Sequence, residues 1–130
     1  MSSHRESLSS DRIAPAVGPY SQAVRCGNML FCSGIVPVDP DTKQLVQADI
    51  ALQTRRVLDS LRLLLADCGA RLEDVVKTTV FLKNMDDFAQ FNAAYADYFP
   101  QDPPARSTVE VGRIPLDSMV EIEAIAILQD

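Results

Sequence analysis

Pro103-Pro104 divides the chain more sharply than any other pair of residues. Neither proline can donate a backbone hydrogen bond, and each pushes the residue before it into an extended conformation. A helix therefore stops before them. Residues 106–111 alternate like a strand: Arg106, Thr108 and Glu110 point one way, and Ser107, Val109 and Val111 the other. A second alternating run, 119–128, puts Glu121 and Glu123 on one face with Ile125 and Ile127. Carboxylates on a mostly apolar face need a reason. An arginine at a strand entrance and a glutamate on a neighbouring strand are the parts of a carboxylate clamp and a proton-transfer group. The plainer reading is a solvated sheet face, and spacing alone favours it.

Upstream, residues 1–13 are polar and read as a flexible tail, leaving 14–130 as one domain. Gly18-Pro19-Tyr20 closes an irregular segment, with Tyr20 either a core-edge aromatic or a pocket wall. Two extended runs, 22–26 and 29–33, flank Gly27-Asn28 and predict a tight hairpin. Gly34 marks a close backbone approach or a positive φ. The spacing of Ile50, Val57, Leu58, Leu61, Leu64, Leu65 and Cys68 predicts a helix over 49–68, stopped by Gly69. Residues 75–82 are rich in β-branched side chains and predict a strand. A second helix is predicted over 85–99, with Phe88, Phe91, Asn92, Tyr95 and Phe99 on one face. Asn92 is the polar exception on that face. It is either satisfied by backbone or a bridge between site residues.

The order ββαβαββ is that of an α+β domain with two helices on one face of a mainly antiparallel or mixed sheet. Most strands are apolar on both faces, and two helices cover only one. The uncovered face predicts an oligomer in which another copy covers it.

Composition removes several classes of function. The net charge is −6 and no basic run occurs, which argues against a nucleic-acid partner. No apolar run approaches a membrane span, and residues 1–11 lack the apolar core of a secretory signal. Three cysteines, at 26, 32 and 68, match no metal motif, and a reducing cytoplasmic setting is the simplest expectation. The only histidine is His4. Its position leaves no Ser-His or Cys-His catalysis and few zinc sites, so no metal is expected. An anion would have to be held by a local cation, for which Arg106 is the candidate.

The sequence resembles the RidA (YjgF) family of enamine/imine deaminases from residue 14 to residue 128. The likeness is carried by Pro104-Ala105-Arg106-Ser107 with Val109, Gly112 and Val120-Glu121-Ile122 after it. Supporting pieces are Gly18-Pro19-Tyr20, Gly27-Asn28, Ser33-Gly34, Val76-Lys77-Thr78-Thr79-Val80 and Phe91-Asn92. The resemblance implies a chorismate-mutase-like α+β fold and a homotrimer whose sheets face inward as a barrel, with active sites between subunits. It implies hydrolysis of 2-aminoacrylate and 2-iminobutyrate type intermediates to 2-oxo acids and ammonia, without a cofactor. Arg106 matches the arginine that pairs with the substrate carboxylate, and Glu121 the glutamate that holds or activates water. Tyr20, Ser33 and Asn92 match other pocket residues. Thr108 stands where many members have cysteine, and Ile35 where well-known members have glutamine.

The chemistry fits those residue types. A planar guanidinium holds a carboxylate through two parallel hydrogen bonds, a geometry lysine cannot match. Such charged hydrogen bonds are worth roughly 1.5–3 kcal/mol each, enough to orient a small anion. An imine is already electrophilic, so positioning water and exchanging one proton, worth about 10²–10⁴-fold, is sufficient. Glu123 shares the face of Glu121, and only the resemblance selects Glu121. The alternatives are a non-catalytic sensor of small carboxylates in the same pocket, and an Arg106–Glu121 ion pair of purely structural meaning.

Overall fold

The computed structural model describes residues 4–129. Eight main elements run in the order β1 (Arg5–Leu8), β2 (Ala23–Cys26), β3 (Met29–Ile35), α1 (Ile50–Asp67), β4 (Val75–Leu82), α2 (Phe88–Ala96), β5 (Ala105–Glu110) and β6 (Val120–Ile127). The six strands form one sheet in the order β1-β2-β3-β6-β4-β5. Only the β4–β5 pair is parallel. The sheet is therefore mixed and the domain α+β, with one strand more than the sequence pattern predicts.

That extra strand is β1. Residues 5–8 pair antiparallel with β2, from Arg5 opposite Cys26 to Leu8 opposite Ala23, in place of the expected flexible tail. Its side chains are mostly exposed. Backbone pairing holds the strand, and no apolar alternation announces it. Downstream, Arg12 donates two hydrogen bonds to the Asp67 carboxylate at 2.7 and 3.1 Å, and the Ser10 hydroxyl donates to the same group. These bonds lie at the end of α1 and tie the segment to the domain.

The β2–β3 hairpin turns at Gly27-Asn28, as the sequence suggests. Cys26 lies opposite Met29, and Gly27 alone of the two central residues has positive φ (62°), the pattern of a type II′ turn. Asp49 caps α1 by accepting the Leu52 amide at 2.9 Å, and Gly69 at φ 87° ends it. All seven apolar positions read from the helical period are buried. Helix α2 is shorter than expected. Asn84 accepts the Asp86 amide and opens a 3-10 turn at Met85–Asp87. At the other end the Asp97 and Tyr98 amides bond three residues back instead of four, which closes the helix early.

Both helices serve one sheet face. α1 lies over β6 and β3, and α2 packs along α1. Leu30, Val80, Leu82, Val120, Ile122 and Ala126 are fully buried between the layers. The opposite face keeps Phe31 at 40% and Val109 at 42% exposure, with Met29 also exposed. It is the uncovered apolar face that the strand pattern anticipates. Among the described residues no helix is long and apolar enough to cross a membrane.

Candidate active site

Strand register decides where the candidate residues go. Arg106 lies beside Thr78, and Thr78 beside Ala124. Thr78 and Ala124 are both buried, so Arg106 belongs to the helix-covered face. Glu121 lies beside Phe81, which in turn lies beside Val109, on the open face. β4 separates β5 from β6, so the two strands are not the neighbours that the sequence suggests. Within one chain Arg106 and Glu121 occupy opposite faces. A cross-strand ion pair between them is excluded, and the six candidate residues divide into two groups.

The first group surrounds Arg106. Its guanidinium carbon stands 4.8 Å from the ring centre of Tyr95, 5.4 Å from Phe91 and 5.6 Å from Phe88. These rings come from the apolar stripe of α2, which also carries Asn92. Thr108 stands two residues along β5 on the same face. The Arg106 guanidinium has no hydrogen bond or ion pair with any described residue. Asn92 Oδ1 and Thr108 Oγ1 are buried without hydrogen-bond partners among the described residues. A buried polar atom left unpaired costs about 1–3 kcal/mol. The in-plane N–H groups of Arg106 and the Thr108 hydroxyl can donate to a small carboxylate, and Asn92 Oδ1 can accept from an N–H or O–H.

The second group lines a cleft of about 720 Å³ that includes Tyr20, Ser33, Gly34, Glu121 and Glu123. A bulge forms it. Cys32 lies opposite Ala124 but Ile35 opposite Ile122, so β3 carries one extra residue at Ser33-Gly34. The Ser33 amide leaves the β6 ladder and donates to the Gln22 carbonyl at 2.9 Å, while its hydroxyl donates to the Ser21 carbonyl at 2.6 Å. Gly34 makes room for the Glu121 carboxylate. A Cβ at Gly34 would lie 2.8 Å from Glu121 Cδ. Of the two alternatives the sequence leaves for this glycine, the structure selects close approach over positive φ. Burial, and then the charge of Glu123, raises the pKa of Glu121 above the ordinary carboxylate value. Glu123 is exposed on the same face, and Gly34 packs against Glu121 alone of the two.

The model of the family described as endoribonuclease L-PSP matches residues 11–128, nearly the whole chain. The chain belongs to this family, the RidA/YjgF group. A RutC family protein of Pyrococcus horikoshii is 48% identical over 122 residues, covering 94% of this chain and 97% of its own. The 2-iminobutanoate/2-iminopropanoate deaminase of Escherichia coli is 44% identical over 125 residues, covering 94% and 97%. Among solved structures, the Escherichia coli YjgF gene product superposes with a TM-score of 0.91 at 42% identity, covering 95% of this chain and 99% of that one. Escherichia coli TdcF, solved with bound serine, gives a TM-score of 0.91 at 37% identity, with the same coverage.

The six polar residues proposed from the sequence fall into these two groups, Arg106, Thr108 and Asn92 in one and Tyr20, Ser33 and Glu121 in the other. Two contributions escape the sequence. Phe88, Phe91 and Tyr95 read as a core stripe, and nothing in their spacing distinguishes a core stripe from a seat for a guanidinium. Gly34 stands out in the sequence, but its partner does not, because the bulge that joins it to Glu121 is a property of strand pairing.

Proposed function

We propose that the protein hydrolyses 2-imino acids, and the 2-enamino acids that tautomerise to them, to 2-oxo acids and ammonia. The observation that carries this is the Arg106 guanidinium, half-buried over three aromatic rings with no ion pair among the described residues. The 44% identity to a protein named 2-iminobutanoate/2-iminopropanoate deaminase supports it, as does the bound serine of the related TdcF, a small molecule with a carboxylate and a 2-nitrogen.

In this reading Arg106 takes the substrate carboxylate through its in-plane N–H groups. Asn92 Oδ1 accepts from the substrate's N–H, and the Thr108 hydroxyl donates to its carboxylate. Glu121 accepts a proton from water as the water oxygen bonds to the C=N carbon. The nitrogen takes up that proton, giving a carbinolamine; the hydroxyl proton then passes by way of Glu121 to the nitrogen as the carbonyl forms, the C–N bond breaks and ammonia leaves, giving the 2-oxo acid. The raised pKa of Glu121 suits it to both halves of the exchange, since a base works best with a pKa near the operating pH. Tyr20 and Ser33 shape the cleft around that water. No cofactor enters this scheme.

Because Arg106 and Glu121 lie on opposite sheet faces of one chain, the scheme requires two copies. One supplies the Arg106 group and a neighbour the Glu121 cleft, in a homotrimer whose open faces pack inward. The exposed Met29, Phe31 and Val109 side chains supply the apolar surface for that packing.

The test is a coupled assay. A pyridoxal-phosphate dehydratase generates 2-iminobutyrate in situ, and release of the 2-oxo acid is monitored above the spontaneous rate. Acceleration by the wild type and none by folded Arg106→Ala is the expected result. Equal acceleration by both would overturn the role of Arg106. No acceleration by the wild type, with binding of 2-oxobutyrate retained, would assign the pocket to carboxylate sensing instead.

A further inference from the structure

A free guanidinium on a long side chain needs something to hold its orientation. Arginine carries about 2 kcal/mol of rotamer entropy, and in most proteins a carboxylate fixes it. Arg106 has no carboxylate, and one would neutralise the charge that a substrate needs. What it has is a floor of rings. Tyr95 is the nearest, at 4.8 Å. Its ring is wedged between Phe91 and Phe99, with centroid separations of 5.4 and 4.8 Å. Its hydroxyl is tied at 2.8 Å to the hydroxyl of Thr78, which is fully buried. Thr78 is also the residue beside Arg106 in the β4–β5 pairing. One hydrogen bond thus joins α2 to the sheet at the row that holds the arginine.

We propose that Tyr95, locked by Thr78, is a positioning residue that fixes the plane of the Arg106 guanidinium without neutralising it. In this assignment the rings of Tyr95, Phe91 and Phe88, within 4.8–5.6 Å of the guanidinium carbon, are held against the face of the cation, leaving its N–H edge for a carboxylate and two parallel bonds. The assignment rests on the carboxylate-clamp role of Arg106 for its catalytic consequence, but not for its structural one.

The experiment compares wild type, Tyr95→Phe, Tyr95→Leu and Thr78→Val by two readouts. The first is ¹⁵N relaxation of the Arg106 Nε–Hε group, which needs neither ligand nor turnover. The second is the affinity for 2-oxobutyrate by calorimetry, repeated in an Arg106→Lys background. Tyr95→Leu is expected to mobilise the Nε–Hε group and weaken binding roughly 5–10-fold. Tyr95→Phe and Thr78→Val, which keep the ring and lose the tether, are expected to mobilise it less and weaken binding about 2–3-fold. In the Arg106→Lys background the loss caused by Tyr95→Leu is expected to shrink, because the two residues act together. An unchanged Nε–Hε signal in folded Tyr95→Leu, or the same loss of affinity in both backgrounds, would overturn the assignment. If the wild type binds no 2-oxobutyrate, the relaxation result still decides the positioning role, while the clamp reading fails separately.

Discussion

Arg106 and Glu121 are poised by opposite means. Aromatic rings lie against the cation, which has no counter-charge among the described residues, and the carboxylate is pressed against a glycine in a cleft where burial raises its pKa. Replacing Gly34 with alanine is expected to leave the fold intact while displacing Glu121 and lowering imine turnover by about 10²-fold, read as kcat in the coupled assay. A folded Gly34→Ala protein with full activity would remove Glu121 from the chemistry. Glu121 also gives a pH signature. Its folded pKa is raised, so its contribution to stability is present below the unfolded value, about 4.3, and is lost as pH rises through the folded value. Glu121→Gln is therefore expected to melt about 2–4 °C higher than wild type at neutral pH and to match it below about pH 4. Melting curves at both pH values check this. Wild-type activity is expected to rise with pH as Glu121 deprotonates, and Glu121→Gln is expected to abolish turnover across that range. At this scale the chemistry-bearing residue types are legible in the sequence, but the choice between Glu121 and Glu123 is not. The two share parity along the strand; the resemblance points to Glu121, and in the structure its half-burial and its contact with Gly34 separate it from the exposed Glu123.

Elements explain which parts of the fold a sequence reveals. Helix α1 is legible because its stabilisation is one-sided: seven apolar positions keep the helical period and all are buried. The β2–β3 hairpin is legible because Gly-Asn chemistry fixes a two-residue turn. β1 is not, because a polar strand held by its backbone leaves no alternation to read. The placement of β6 between β3 and β4 is not legible either, since it pairs segments distant in sequence. Without that placement Arg106 and Glu121 look like neighbours. Asp49 permits a direct check on α1. Asp49→Ala removes the bond to the Leu52 amide and is expected to lower stability by about 1 kcal/mol, with Asp49→Asn close to wild type, in urea unfolding at fixed protein concentration. Equal losses for both variants would mean that the charge, not the cap, is what matters.

The described residues place two groups of candidate residues on opposite faces of one sheet, with an apolar face left open beside one of them. Association of copies accounts for all three features. In the proposed trimer, a closed ring of identical subunits is what would bring the Arg106 group of one copy to the Glu121 cleft of the next. Light scattering at micromolar concentration is expected to give three times the monomer mass, whereas a monomer would leave the half-sites apart. The most direct measurement uses two variants, Arg106→Ala and Glu121→Gln, each expected to be inactive alone. Co-expressed in equal amounts and purified together, uniform and mixed assemblies alike, they are expected to regain about a quarter of wild-type deaminase activity, the share of sites that receive both native residues by random assembly in a ring. Mixed assemblies no more active than the two separate variants would contradict a site built from two copies, and with it the proposed mechanism.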